Sequence, residues 1–232
     1  MVNTGKTCEL TVETPGGVVN YEGDTHIDGV PESAAPIVCN FLDVAGSSCG
    51  ALLPTGNSLD VIEGVDATCI DNGMPVVLLR ATDFDITGHE SPQHLDANLP
   101  LKARLEAVRL AAGPLMNLGD VSEKTIPKMC LVAKSAAGGS LATRTFIPHV
   151  CHKAIGVLGA VSVATACLLP DSVAAALAEI PDGREKTLKI EHPTGSLSVQ
   201  LVVSAENRVE RAGVMRTARL LFRGEAYVRT SN

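Results

Sequence analysis

The sequence predicts a mixed α/β fold in which a sheet wraps around one buried, apolar helix. Two observations carry that expectation. The run Gly156–Leu169 is small and apolar on every side, and no charged residue occurs between Lys153 and Asp171. A helix that is apolar all round is either enclosed by protein or crosses a membrane. This one is short for a span, opens on Gly156 and Gly159 and is stopped by Pro170, so enclosure is the reading. Around it, short alternating segments are separated by Gly, Pro, Asn and Asp, which is a strand pattern.

Composition narrows the classes. Hydrophobic residues make up 45% of 232, but aromatics only 3% with no Trp, so Val, Leu, Ile and Ala must fill the core. A net charge of −7 without a basic cluster argues against nucleic acid, whose phosphates demand a basic face. Seven cysteines without pairwise spacing suit a reducing compartment. Met1 is followed by polar Asn3, Thr4, Gly5 and Lys6, so no secretory leader or membrane anchor is expected, and the chain is read as cytoplasmic.

In chain order, Val2 leads into a turn at Asn3–Lys6, and Thr7–Glu13 alternates as a strand with Cys8, Leu10 and Val12 on one face. Thr14–Gly17 turns the chain, Val18–Tyr21 is expected to return it as a hairpin, and Ile37–Leu42 is a short strand. Ala51–Asn57 reads as a loop. Val65–Ile70 and Val76–Ala81 read as strands joined at Asp71–Pro75, where Asn72-Gly73 is a strong hairpin signal. Ser91-Pro92 opens a short helix or turn. Leu101, Leu105, Val108 and Ala112 then recur at helical spacing opposite Lys102, Arg104, Glu106 and Arg109, which predicts an outer helix ended by Gly113-Pro114. Lys128–Ala133 and Thr143–Ile147 are strands flanking a flexible Ala136–Ser140. Ser172–Ile180 is expected to form a second short helix, and Arg219–Val228 a last strand pair interrupted at Arg223-Gly224.

One phrase occurs twice. Thr11-Val12-Glu13-Thr14-Pro15-Gly16-Gly17 resembles Lys189-Ile190-Glu191-His192-Pro193-Thr194-Gly195, and each is followed by an alternating segment. Two such hairpins suggest an internal duplication. The second copy follows the apolar helix and the first follows none, as though the first copy had lost its helix.

Candidate chemistry centres on the helix mouth. Gly156 and Gly159 leave first-turn N–H groups unshielded, which suits an anion; alternatively, they only permit close helix–sheet packing. His149, Cys151 and His152 invite a metal reading, but they lack a distant partner pair, and adjacent ligands at 151 and 152 are awkward for one tetrahedral ion. A histidine at the pocket mouth is the better use of that segment. Arg144, on a strand entering the same mouth, suits a bidentate carboxylate contact or a surface ion pair. Asn72, Gly73, Thr55 and Asn57 are turn residues with donors, and Lys128 reads as an exposed strand end. Cys151 and Cys167 lack an activating context. There is no nucleophile elbow, phosphate loop, dinucleotide fingerprint or carboxylate pair.

Several longer phrases are more specific together. Gly50–Asn57, Thr68–Val77, Met116–Val121 and Phe146–His149 through Gly156–Ser162 resemble the PrpF-like family of 4-oxalomesaconate tautomerases and 2-methylaconitate cis–trans isomerases, over essentially the whole chain. The resemblance implies a diaminopimelate epimerase-like fold, with two similar α/β halves that each wrap sheet around a central helix and a cleft between the helix amino ends. It implies a cofactor-independent proton shift in an unsaturated tri- or tetracarboxylate, as in the breakdown of gallate-like aromatics. Such a shift needs an acid, a base and donors for the developing enolate. Backbone N–H groups at Leu158, Gly159 and Ala160 suit a carboxylate or enolate oxygen, by the same likeness Asn72, Gly73 and Met74 form the facing wall, and Arg144 and His149 are expected as substrate contacts from their places at the helix mouth. In the epimerases the position of Leu158 would be an acid/base cysteine; leucine transfers no proton.

The family's catalytic lysine lies in a Gly-Gly-x-Ser-Lys-Gly stretch and its cysteine in Asn-Cys-Gly-Asn, and neither occurs here; Ser48-Cys49-Gly50 is a superficial echo. No catalytic residue is therefore assigned within the chain. Residues 1–45 are expected to be the closing strands of an incomplete first half, and residues 46–232 a complete second half with its helix at 156–169. Proton-transfer groups would then come from a separate first half or a second copy of the chain. The competing readings are a non-catalytic scaffold that binds polyacids or a partner chain, and a metal or thiol module.

Overall fold

The computed structural model describes residues 1, 5–206 and 208–228. The expected Asn3–Lys6 turn therefore lies partly outside the described residues.

Among the described residues, ten strands form one mixed sheet, in the order β1-β2-β10-β9-β8-β7-β6-β5-β4-β3. The strands are β1 Thr7–Val12, β2 Pro36–Leu42, β3 Asp60–Ile62, β4 Val65–Asp71, β5 Pro75–Arg80, β6 Lys128–Ala133, β7 Leu141–Phe146, β8 Glu185–His192, β9 Gly195–Val203 and β10 Val209–Thr217. The helices are α1 Pro92–Ala97, α2 Leu99–Leu115 and α3 Val157–Cys167. β5 is parallel to β6 and β7 to β8; the remaining neighbours are antiparallel.

The apolar run is the enclosed helix. Gly159 through Cys167 are all buried, and α3 packs on β4 and β5 at one side and on β8, β9 and β10 at the other, so the sheet curls round it. Each Val on such a helix contributes about 1.5–3 kcal/mol by leaving water. No helix of the described residues is long and apolar enough to cross a membrane. The opposite face of the central strands carries a second apolar cluster, built on Leu101, Leu105, Val108 and Ala112 of α2 with Val77, Leu79, Met129 and Leu131. Asn98 caps α2 by accepting from the Leu101 N–H at 3.1 Å.

Four expectations about elements fail. α2 runs through Gly113-Pro114 to Leu115 and closes at Asn117, which has φ +59°, while the Leu118 N–H returns to Gly113 O at 3.0 Å. That is a Schellman closure with Asn in the left-handed position. Gly113 serves packing instead, because a Cβ there would meet Val121 Cγ2 at 2.6 Å. Ser172–Ile180 forms successive turns, with Ala178 N to Ala174 O its one helical bond and Glu179 N drawn to Ser140 O. Val18–Tyr21 is no strand: β1 pairs with β2, and Pro15–Gly17 is a 3₁₀ turn. Arg219–Val228 is exposed and forms no strand pair.

Candidate functional site

α3 follows β7, and β8 is parallel to β7, so the amino end of α3 and the carboxyl end of β8 lie at one end of the sheet. β5 is parallel to β6, which is antiparallel to β7, so the β4–β5 turn lies at that same end. The tip of α3 thus sits between the turns 71–75 and 192–195.

Gly156 caps α3 in extended backbone without a side-chain acceptor. Among the described residues, the N–H groups of Val157, Leu158 and Gly159 have no acceptor, whereas that of Ala160 is spent on Gly156 O at 2.8 Å. These unsatisfied donors coincide with the positive end of the helix dipole. Gly156 is exposed, and a Cβ added there would find nothing within 4 Å; at Gly159 it would meet only Ile155 Cγ1 at 4.0 Å. Tight helix–sheet contact is therefore not what these glycines serve: Gly156 leaves the cap open to solvent, while Gly159 is buried without a close neighbour.

The turn 71–75 is bolted to the side of the helix. Asn72 N–H donates to Ser162 Oγ at 3.0 Å, Ser162 Oγ–H donates to Met74 O at 2.8 Å, and Asn72 Nδ2 donates to Thr165 Oγ1 at 2.8 Å. Gly73, at φ +93°, faces Leu158: a Cβ there would stand 3.0 Å from Leu158 Cδ2 and 3.3 Å from Val44 Cβ. Asn72, Gly73, Met74 and Leu158 are thus brought together. The wall's backbone donors are mostly committed, however, since Gly73 N–H donates to Asp71 Oδ1 at 3.2 Å.

Asp71, fully buried, is the hub that the sequence did not reveal. Its Oδ2 accepts from Ser48 N at 2.7 Å and Cys49 N at 2.8 Å, tying the 44–52 loop to the turn. An Asp directly before Asn-Gly is the signal that was available.

Arg144 and His149 lie apart from the tip. Arg144 shares its strand face with Ala142 and Phe146 of the α2-side cluster, and it donates to Glu90 O at 2.7 Å and Thr143 O at 2.8 Å. Strand parity turns it away from α3. His149 is 52% exposed, with Nδ1 3.5 Å from Glu106 Oε2, and Glu106 also pairs with the buried Arg109 at 2.7 Å. Thr55 and Asn57 close their own loop on Asp60, and Lys128 Nζ donates to Thr125 O. Burial pushes the thiols of Cys49, Cys69, Cys130 and Cys167 to about 12 and that of Cys151 to about 11, so none is a thiolate at neutral pH.

The PrpF protein family model matches residues 1–229. A (4E)-oxalomesaconate Δ-isomerase of Novosphingobium sp. strain KA1 is 58% identical over 98% of the chain and 64% of its own length. A 4-oxalomesaconate tautomerase of Pseudomonas putida is 57% identical over 97% of the chain and 62% of its own length. The chain thus spans a little under two thirds of these relatives. A crystal structure of methylitaconate-delta-isomerase superposes with a TM-score of 0.86 at 27% identity, covering 99% of this chain and 67% of that one. On the match of the family model to nearly its whole length, this chain belongs to the PrpF protein family.

Proposed function

We propose that the chain is, or is the larger part of, a cofactor-independent isomerase acting on an unsaturated polycarboxylate, with 4-oxalomesaconate the favoured substrate. The single observation that carries this is the bare tip of α3, where three unsatisfied N–H groups point out of a buried helix. Such donors hold a carboxylate or the oxyanion of a developing enolate. The choice of substrate rests on the two relatives above 50% identity that carry the oxalomesaconate name. The runner-up is 2-methylaconitate, the substrate named for a Shewanella oneidensis relative that is 30% identical. Seven unpaired cysteines support a reducing, cytoplasmic setting.

Gly73 and its neighbours Val44 and Leu158 carry no side chain able to transfer a proton. The proposal therefore places the base outside this cluster, on a separate first half or a second copy of the chain. The test is to add 4-oxalomesaconate and follow the ultraviolet band of its conjugated keto form. Accelerated loss or shift of the band supports the reading. No change, with the chain alone and with the remaining third of the Pseudomonas relative supplied, overturns it; carboxylate binding without turnover would instead indicate a polyacid-binding scaffold.

A further inference from the structure

The outer face of β2, β10, β9 and β8, turned away from α3, carries a row of polar side chains. Asn40 lies between Cys39 and Phe41, Gly213 between Ala212 and Val214, and Gln200 between Val199 and Leu201, and all of those flanking residues pack into the core around α3. Alternation therefore turns Asn40, Gln200 and, beside the buried Leu188, Thr187 to the opposite face. Asn40 is paired with Gly213, Gly213 with Gln200 and Gln200 with Thr187, so the four stand side by side across the sheet. Gly213 is the gap in that row: a Cβ there would stand 2.6 Å from Asn40 Oδ1, so the Asn40 amide reaches over β10. A groove of 410 Å³ opens above, lined among others by Asn40, Gln200, Thr187, Arg211 and Glu185.

Asn40 is the residue that calls for a ligand. It is 8% exposed, yet its side-chain amide has no hydrogen-bond partner among the described residues, and neither Gln200 nor Thr187 beside it has one. Amides this buried are normally paired, and what this one faces is the groove. In the next row, Val202 separates Arg211 of β10 from Glu185 of β8. Two strand spacings set their backbones about 10 Å apart. Both side chains are exposed, and neither has an ion-pair partner among the described residues. The groove thus offers a cation on one side, an anion on the other and amide donors and acceptors alongside. A polyanion would meet Glu185, and no aromatic side chain lines the groove on which a nucleobase could stack.

We infer that this groove binds a small zwitterion of the amino-acid type, a dipeptide or a free amino acid, with its carboxylate on Arg211, its ammonium on Glu185 and its other polar groups on the amides of Asn40 and Gln200. A guanidinium matches a carboxylate with two parallel N–H bonds. The Asn and Gln side chains each present one acceptor oxygen and an NH₂ donor, the complement of a peptide unit. At about 3.5 Å per residue, a dipeptide fills more of the space between the two charged side chains than a single amino acid does. The site lies on the other side of the sheet from the α3 tip and stands independently of the proposed reaction.

The test is titration of the full chain at pH 7 with glycylglycine, L-alanine, succinate and 1,4-diaminobutane, read in ¹H–¹⁵N spectra at the side-chain amides of Asn40 and Gln200. Glycylglycine should move both amides saturably, and L-alanine should do so more weakly. Succinate and 1,4-diaminobutane each lack one sign of charge and should bind at least about tenfold more weakly than glycylglycine, the size of effect expected from losing a hydrogen bond to a charged group. R211Q and E185Q change exposed side chains, and each should weaken glycylglycine by about tenfold. If glycylglycine and L-alanine both leave the two amides unmoved, the inference is overturned. Equal affinity for glycylglycine and for either singly charged series overturns it on wild type alone, without any variant. R211Q and E185Q that both bind glycylglycine as wild type does overturn it as well.

Discussion

Thr11–Gly17 and Lys189–Gly195 are nearly one phrase with two outcomes. The second becomes a tight β8–β9 hairpin whose His192 and Gly195 are paired, while the first ends in a 3₁₀ turn and its following segment touches back through Asn20 N–H to Glu13 O at 2.9 Å without forming a strand on β1. Glu191 and Glu13 hold corresponding places. The Glu191 carboxylate accepts from Ser135 Oγ at 2.5 Å and from the N–H groups of Ala136, Ala137 and Gly139, whereas among the described residues the Glu13 carboxylate accepts from Asn20 Nδ2 at 3.0 Å alone. The difference lies in what each phrase packs against. Ile190, Leu197 and Val199 close on α3, while Leu10 of β1 is 59% exposed. A turn motif proposes a hairpin, and an apolar neighbour is what fixes it.

The largest effect that would sharpen this contrast is on the helix itself. Val161→Asp places an unpaired charge in a site of zero exposure and should cost more than about 4 kcal/mol, leaving the chain unfolded by circular dichroism. The same change at Leu10 should stay within about 0.5 kcal/mol. Equal losses at both positions would break the comparison.

Next come the turn glycines. Gly195 has φ +147°, and a Cβ there would meet Asp28 Cβ at 2.8 Å, so Gly195→Ala should cost about 2–3 kcal/mol. Gly16 has φ +62° and open space around it, so Gly16→Ala should cost about 1 kcal/mol from backbone strain alone. Thermal melts of the two variants measure the gap.

The paired glutamates give a pH signature. Burial raises the Glu191 carboxyl, but the Ser135 hydroxyl and the loop amides outweigh it and hold the group at about 2, against an ordinary 4.5. A depressed carboxylate contributes fully above its unfolded value, and the contribution is lost as pH falls through the folded one. Wild type should therefore lose stability between about pH 4.5 and 2. Glu191→Gln should flatten that slope and cost about 2 kcal/mol at pH 7. Glu13→Gln, the smallest expected effect, should change stability by less than about 0.5 kcal/mol.

Much of this was legible in the chain. The uncharged run from 154 to 170 announced α3, and Asn72-Gly73 announced its hairpin, because both signals are local and strong. What stayed hidden depended on neighbours. Gly113-Pro114 looked like a helix stop, but the stop was Asn117, and Gly113 is a packing glycine under Val121. Alternation placed Arg144 on a strand, yet which face it used was decided by α2 on the far side of the sheet. Asp71 accepts from residues 22 and 23 positions away, which no spacing rule reports. His149 and His152 are close in sequence, but only His152 is tied into the segment before Gly156, through Ala154 N to its Nδ1 at 2.8 Å.

The most direct test of the central claim is an amide ¹H–¹⁵N correlation spectrum of the full chain, titrated with a tricarboxylate at neutral pH. The account predicts saturable shifts led by Val157, Leu158 and Gly159, with Ala160, whose N–H is already bonded, moving less. Saturable shifts centred on another surface, with those three amides unmoved, would contradict it.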